Sequence, residues 1–472
     1  MFIVARSSLM ELLKVCTMCS SSLTNVQLTT METLARATIT CENAHRNQWN
    51  SQPLVHEKPV GNIAMCSAIL FSGSSITKSL RLFDIMGLAQ YLLSIHRSQY
   101  FLYQKCYLFP AIQDVWDKEQ AALVEKLGDR PLHLAGNARC DSPGHAALHD
   151  TYTIMETTIN RTVQFEVVKA TTVSSSYCME QRGLELCLDY STAKGLVVST
   201  LVADRHSQVK TILSDKHPST SHRFDVWHVA KGIKKKIAAA SQSKKHQVLR
   251  LWCESIIRQL YWCARTSDSG DLLLAKWTTI MRHVINIHTH PTSLHPACFH
   301  DDLGERRWLE EGTETYKKLH DILLAKLLPK DIPQLSSAQQ TFAYETFHAV
   351  LIHFAPKSYS FSDQGMVSRT ALAALHYNAN ADRVALLRDG AVKHRLKPSK
   401  VRKGWIAVPV KEDATYSYVS DLKSAVFDRI ARYPSFKKAR DALVEVSLPT
   451  RSSCYGDRPE MRAVLESQYS RF

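Results

Sequence analysis

The chain has 472 residues, with 59 Lys and Arg against 44 Asp and Glu, a formal net charge of +15 and a pI near 9.2. That length supports two to four domains, and the charge balance favours an anionic partner, of which nucleic acid is the commonest. No stretch approaches the ~20 apolar residues of a bilayer span, Arg6, Glu11 and Lys14 interrupt the apolar start, and the 12 cysteines are scattered apart from one C-x2-C pair, which argues against a membrane protein and a secreted disulfide framework. The expected location is the cytoplasm or nucleus. Because patterned sequence starts at the first residues, a module upstream of them is also expected.

In residues 1–55, Cys16-Thr17-Met18-Cys19 is followed by Cys41 and His45. Two thiols on a tight knuckle, with a thiol and an imidazole a hairpin's length away, complete a tetrahedral zinc site of zinc-ribbon type. The bland alternative is free thiols in a small core. Residues 56–130 read as helical: Ile63, Ile69 and Leu70 lead to a Ser72-Gly73-Ser74-Ser75 turn, after which Ile76, Leu80, Phe83 and Met86 recur at helical spacing. Two helices about a short Gly-containing turn fit a helix-turn-helix as well as any small bundle. The tyrosines from Tyr91 to Tyr107 read as core and interface aromatics.

From 131 to 245 the period shifts to strands at 131–137, 151–157 and 162–168, then a helix at 177–193 and an apolar strand at 197–203 that delivers Asp204. A further helix and a short strand at 222–228 carry Asp225 and His228 and open into a basic helix with Lys231, Lys234, Lys235 and Lys236. A carboxylate at the end of a buried strand is costly unless solvated, paired or bound to a cation, so Asp204 is a functional candidate as well as a possible helix cap. The order β-β-β-α-β-α-β-α is that of a ribonuclease H-like domain, in which the first strand meets the fourth at the sheet centre and acids near their ends converge. The expected fold class is mixed α and β, with this core after a zinc-ribbon-like and a small helical domain.

Residues 246–335 read as a helical insertion, with Trp252, Ile256, Ile257 and Leu260 at helical spacing. It contains His283, His288, His290, His295, Cys298 and His300, either a second metal cluster or core and solvated histidines. A final core helix is expected in 336–380, placing Glu345 and His348 on one face. Residues 381–448 read as basic and strand-poor, with Lys393, Arg395, Lys397, Lys400, Arg402 and Lys403, and 449–472 as a disordered tail.

Taken together, the segments GNARCDSPGHAALHDTYTIME, LVADRHSQVK, HRFDVWHVAKGIKKKI, YWCA, ERRWL and YETFHAVLIHFAPKS resemble eukaryotic cut-and-paste DDE transposases, most of all the Kolobok-like group and its host-genome derivatives. The resemblance implies a ribonuclease H-like core interrupted by an insertion, Asp204 and Glu345 as the second and third ligands of Mg²⁺ or Mn²⁺, and Asp225 with His228 as an auxiliary pair. It further implies DNA cleavage and strand transfer on transposon ends, a homo-oligomer and a nuclear location. Relatives tend to carry Asp at both the 137-like and the 141-like place, and this chain has Asn137 and Asp141. Asp141 is taken as the first ligand, which leaves the triad intact. Position 137, directly after the apolar residues, competes for that role, and Asn there means an impaired copy or a non-catalytic DNA or protein binding module.

Overall fold

The computed structural model of the chain describes residues 3–88, 97–142, 147–204, 207–301, 303–324, 328–336, 342–357, 359–399, 404–443, 448–449 and 459–469. It divides into two units, Ala122–Ala349 and Met1–Ala121 with Val350–Phe472. These cross the expected boundaries. The core read at 131–245 and the insertion read at 246–335 form one unit, and the segment read as the core's last piece, 336–380, is cut at Ala349.

In the unit Ala122–Ala349, alternating apolar residues build an antiparallel meander of β1 (Leu132–Cys140), β2 (His149–Glu156) and β3 (Arg161–Lys169). Helix α1 (Ser176–Ala193) then carries the chain to β4 (Val198–Ala203), which lies parallel to β1 on its other side. After α2 (Ser207–Lys216), β5 (Ser221–Phe224) adds parallel to β4, giving a mixed sheet of order β5-β4-β1-β2-β3. Leu134, Ile154, Val163, Leu184, Leu188, Leu201 and Ile212 form the core between sheet and helices.

Two strand ends differ from expectation, and both bear on the site. Strand β1 runs on to Cys140 instead of stopping at 137, because its pairing with β2 reaches Cys140↔Asp150 although its pairing with β4 is recorded only to Ala135↔Val202. Strand β5 ends at Phe224, short of 228, because Asp225 caps the next helix and accepts a hydrogen bond from Trp227 N at 2.8 Å. That helix is α3 (Val226–Ala240), whose Val226, Val229, Ala230, Ile233 and Ile237 pack with Trp252, Ile256, Ile257 and Leu260 of α4 (Leu249–Thr266). This shared apolar face merges the insertion with the core. Helices α5 (Gly270–Thr278), α6 (Ile280–His283) and α7 (Glu314–Leu323) complete it. Leu335 then bridges to Phe224 at the edge of β5, and α8 (Phe342–Phe354) follows. Of the expected start of that helix at 336–340, Ser336 is buried and not helical, and 337–340 lie outside the described residues.

The other unit opens with a three-stranded antiparallel sheet, Leu23–Met31, Leu34–Cys41 and Arg46–Asn50. Helices Val60–Phe71 and Ile76–Ile85 flank the expected serine turn; the first is buried on most of its surface and the second buries only Ile76. Tyr100, Tyr103 and Tyr107 are buried, and Tyr103 and Tyr107 pack against Phe436. Tyr91 lies outside the described residues. Helix Asp363–Asn380 is buried at two thirds of its residues. Two readings of this unit need correction. The basic segment is not strand-poor, since His394–Ser399 pairs with Gly404–Pro409; its Lys, Arg and Pro arm shows no apolar alternation of its own, and the partner arm with Trp405, Ile406 and Val408 supplies the strand character. Lys400, Arg402 and Lys403 are outside the described residues. In the tail, Met461–Tyr469 is helical, with Arg462 and Glu466 paired at 2.9 Å one turn apart.

Candidate functional site

The parallel pairing of β4 and β5 sets Ala203 opposite Phe224, so the next residues, Asp204 and Asp225, leave neighbouring strands side by side. Adjacent strands are about 4.8 Å apart, which forces two carboxylates together at the carboxyl edge of the sheet. His228, one helical turn after Asp225, closes the pair: its Nδ1 lies 2.6 Å from Asp204 Oδ1 and 2.9 Å from Asp225 Oδ2. Burial alone would lower the His228 pKa, but the hydrogen bonds to Asp204 and Asp225, and then their charges, outweigh it and raise it to about 9. An imidazolium therefore sits where two anions demand a positive charge. Ligand atoms of Asp204, Asp225 and His228 lie within 4.8 Å of one another, a group able to hold a metal ion.

Continuing the register of β1 on β4 from Ala135↔Val202 by two residues sets Asn137 opposite Asp204. A cavity of about 120 Å³ collects these groups, lined among others by Asn137, Asp204, Asp225, Trp227, His228 and Glu345. The third acid enters from α8, with Glu345 exposed and His348 one turn on in the same wall. The Glu345 carboxylate is outside the tight group formed by Asp204, Asp225 and His228.

Asp141 does not join them, which corrects the choice of first acid. It is four residues beyond Asn137 along the strand, roughly 13 Å at strand rise, and its carboxylate closes the β1–β2 hairpin. It accepts from Leu148 N at 3.1 Å and His149 N at 3.0 Å and faces His149 Nδ1 at 3.3 Å. Burial works to raise its pKa, and these bonds from His149 and Leu148 hold it below the usual carboxylate range. The residue at the site is Asn137, whose side-chain oxygen accepts from Ala138 N at 2.8 Å.

One acid near the site was not anticipated. Glu180 on α1 has its pKa raised to about 7, first by burial and then by the charges of Asp204 and Asp150, with His228 opposing. The sequence signal was faint: an acid beside the fully buried Met179.

Of the expected DNA contacts, Lys231, Lys234, Lys235 and Lys236 are all exposed on α3. At about 100° per residue, Lys231, Lys234 and Lys235 share one face and Lys236 sits off to its side. The Lys231 ammonium lies 4.7 Å from the ring centre of Trp227, a partly exposed indole that also lines the cavity.

In the other unit, Cys16, Cys19, Cys41 and His45 have ligand atoms within 4.8 Å of one another. Two backbone turns present them: Ser20 N donates to Cys16 O, and Ala44 N to Cys41 O, with Ser20 and Ala44 in the left-handed region at φ 60 and 59. Cys19 Sγ is 3.7 Å from Cys41 Sγ and 3.3 Å from His45 Nδ1. Hydrogen bonds from Ser21, and then from His45 and Asn43, pull the Cys19 pKa down to about 5, while burial pushes Cys41 up. A thiol with a lowered pKa in a four-donor cluster of sulfur and nitrogen suits a metal ion. No described helix is long and apolar enough to cross a membrane. Compared with models of protein families the chain matches none, and it matches none of the curated proteins either.

Proposed function

We propose that the chain is a transposon-derived, nuclear DNA-binding protein built on a DDE-type ribonuclease H-like core, with Asn137 in the place of the first acid and cleavage impaired as a result. The observation that carries this reading is the row of Asn137, Asp204 and Asp225 across β1, β4 and β5, with Glu345 in the wall of the same cavity. The pairing of the first strand with the fourth at the sheet centre supports the ribonuclease H-like assignment. The resemblance carried by the DVWH and YETFH segments supports the family.

The donors fit a divalent cation of the Mg²⁺ or Mn²⁺ kind, since Asp204, Glu345 and the Asn137 amide offer hard oxygens and the His228 imidazolium already marks a place that requires positive charge. When bound, such ions activate a water or a DNA 3′-hydroxyl and neutralise charge on the departing oxygen. Asp225 and His228 hold Asp204 in position, and Lys231, Lys234 and Lys235 take the phosphates of a DNA end. Asn137 contributes an oxygen without a negative charge, which weakens cation binding. Cys16, Cys19, Cys41 and His45 hold a structural Zn²⁺. Strand transfer on paired DNA ends calls for a homo-oligomer. A wholly non-catalytic binding module is the second reading, and the same Asn137 favours it.

The test is nicking and end-joining of DNA in Mg²⁺ or Mn²⁺. The natural protein is expected near background, Asn137→Asp to raise activity on the order of 10–100-fold, the scale of changes at metal sites, and Asp204→Ala to abolish the gain. Asp141→Ala should leave activity in the Asn137→Asp background. Robust cleavage by the natural protein that Asp141→Ala abolishes would overturn this reading, and no gain from Asn137→Asp would leave the binding module.

A further inference from the structure

Between α6 and α7 the described residues of 284–313 form no helix and no strand beyond a single bridge, Thr289↔Ala297. Irregular segments longer than about 15 residues are uncommon inside a folded unit and need something to hold them. Apolar burial anchors the two ends of the segment, through Val284 and Leu309, but supplies little in its middle, where Leu294 and Phe299 are 54% and 79% exposed. Backbone bonds from His290 N to Pro296 O and from Cys298 N to His288 O fold residues 288–298 back on themselves. That fold brings His288 and Cys298 to the end of α6, where His283 is its last residue.

We infer that His283, His288, Cys298 and His300 form a structural site for a borderline-soft divalent metal, Zn²⁺ being the fitting ion, that fastens this segment to the helical insertion. Their ligand atoms lie within 4.8 Å of one another. Cys298 Sγ is 3.6 Å from His283 Nδ1. The imidazoles of His283, His288 and His300 have centroids 4.8 to 5.2 Å apart and are close to mutually perpendicular, at 76°, 89° and 90°. Aromatic packing alone would bring rings together edge to face, but it gives no reason for a thiol among them.

The outer partners fix which nitrogen carries the lone pair. His300 Nδ1 lies 2.7 Å from Asp301 O, a carbonyl that only accepts, so this nitrogen is protonated and Nε2 is the donor to a metal. His288 Nε2 lies 2.9 Å from Asn286 Oδ1, which leaves Nδ1 for the same role. His290 Nε2, 3.2 Å from Cys298 Sγ, is placed to donate to a thiolate. Ligating histidines are held in this way by their second nitrogen. Trp308 packs on His283 and His288, and Trp252 on His283, closing one side. Three nitrogens and one thiolate suit tetrahedral Zn²⁺ and not Mg²⁺ or Ca²⁺, which take oxygens.

The experiment uses the full chain, purified without chelator, with metal content measured by mass spectrometry and Co²⁺ substituted for an absorption readout. Cys16→Ser protein is the background, so that the cysteine-rich cluster of the other unit does not contribute. It should retain one Zn²⁺ per chain and, with Co²⁺, give the visible bands of a tetrahedral site with one thiolate. Adding Cys298→Ser should remove both the metal and the sulfur-to-metal band. A second readout guards against a variant that fails to fold: in the natural chain, chelation should speed proteolytic cutting within 284–313, and Zn²⁺ should reverse it. Cys16→Ser protein that binds no Zn²⁺ or Co²⁺, or cutting within 284–313 that ignores chelator, would overturn the assignment.

Discussion

His228 sets the charge balance of the carboxylate row, and its titration can be followed directly. Its pKa in the folded chain stands at about 9 against an ordinary 6.5. A histidine whose folded pKa is raised stabilises the fold fully below the unfolded value, and the contribution is lost as pH rises through the folded one. In metal-free protein the imidazole resonances should therefore titrate near pH 9. His228→Gln should cost more at pH 6 than at pH 9.5, by on the order of 1–3 kcal/mol, and an equal cost at both would show that the bridge to Asp204 and Asp225 is not formed. At this scale the sequence was legible where chemistry and strand position agree: Asp204 and Asp225 follow strands, and Glu345 lies on a helix with His348. It misled at Asp141, because Arg139-Cys140-Asp141 supplies a carboxylate but only the cross-strand register decides which residue of β1 faces Asp204. Glu180 was illegible, since nothing in an isolated helix tells which face will meet a carboxylate from another element.

Among the elements, α1 and the sheet are fitted around one ring. Tyr152 on β2 is buried, and the space for it is made by Gly136 on β1 and Gly183 on α1. A Cβ on Gly136 would collide with the Tyr152 hydroxyl and meet Cε1 and Cζ at 3.0 Å, while a Cβ on Gly183 would meet Tyr152 Cβ at 2.5 Å. Neither glycine has a positive φ, so space and not backbone conformation requires them. Gly136→Ala and Gly183→Ala should each destabilise the unit by about 1–3 kcal/mol in denaturant unfolding. Tyr152→Phe removes the atom that Gly136→Ala strikes first and should recover part of that loss, but it leaves the Cβ that Gly183→Ala strikes. Equal recovery in both double variants would refute this packing. The meander and the strand ending in Asp204 were readable from alternation and apolar runs. The hairpin of His394–Ser399 with Gly404–Pro409 was not, because its first arm, with Arg395, Lys397 and Pro398 and exposed along most of its length, carries no alternation to read.

Across the whole molecule, a net charge of +15 would make the proposed DNA binding electrostatic first, and such binding should not depend on cleavage. Two exposed basic surfaces compete for that role: the face of α3 with Lys231, Lys234 and Lys235, and the hairpin segment with Lys393, Arg395 and Lys397. The first adjoins the cavity through Trp227, which would offer a duplex end both phosphate contacts and an aromatic surface. Each phosphate contact releases counterions, so the logarithm of the binding constant should fall linearly with the logarithm of salt concentration, by about 0.9 for every contact on duplex DNA. Replacing Lys231, Lys234 and Lys235 by Ala together should weaken binding and flatten that slope by up to about 3. Lys236→Ala alone, off the shared face, should change it by less than any one of the three. The measurement is binding to a fluorescent duplex across a salt series, without divalent ions so that no cleavage intervenes. A slope unchanged by the triple variant but flattened by Lys393→Ala, Arg395→Ala and Lys397→Ala would assign the DNA contacts to the hairpin instead of α3. That outcome would part DNA binding from the face of α3 beside the cavity and favour the reading as a non-catalytic binding module.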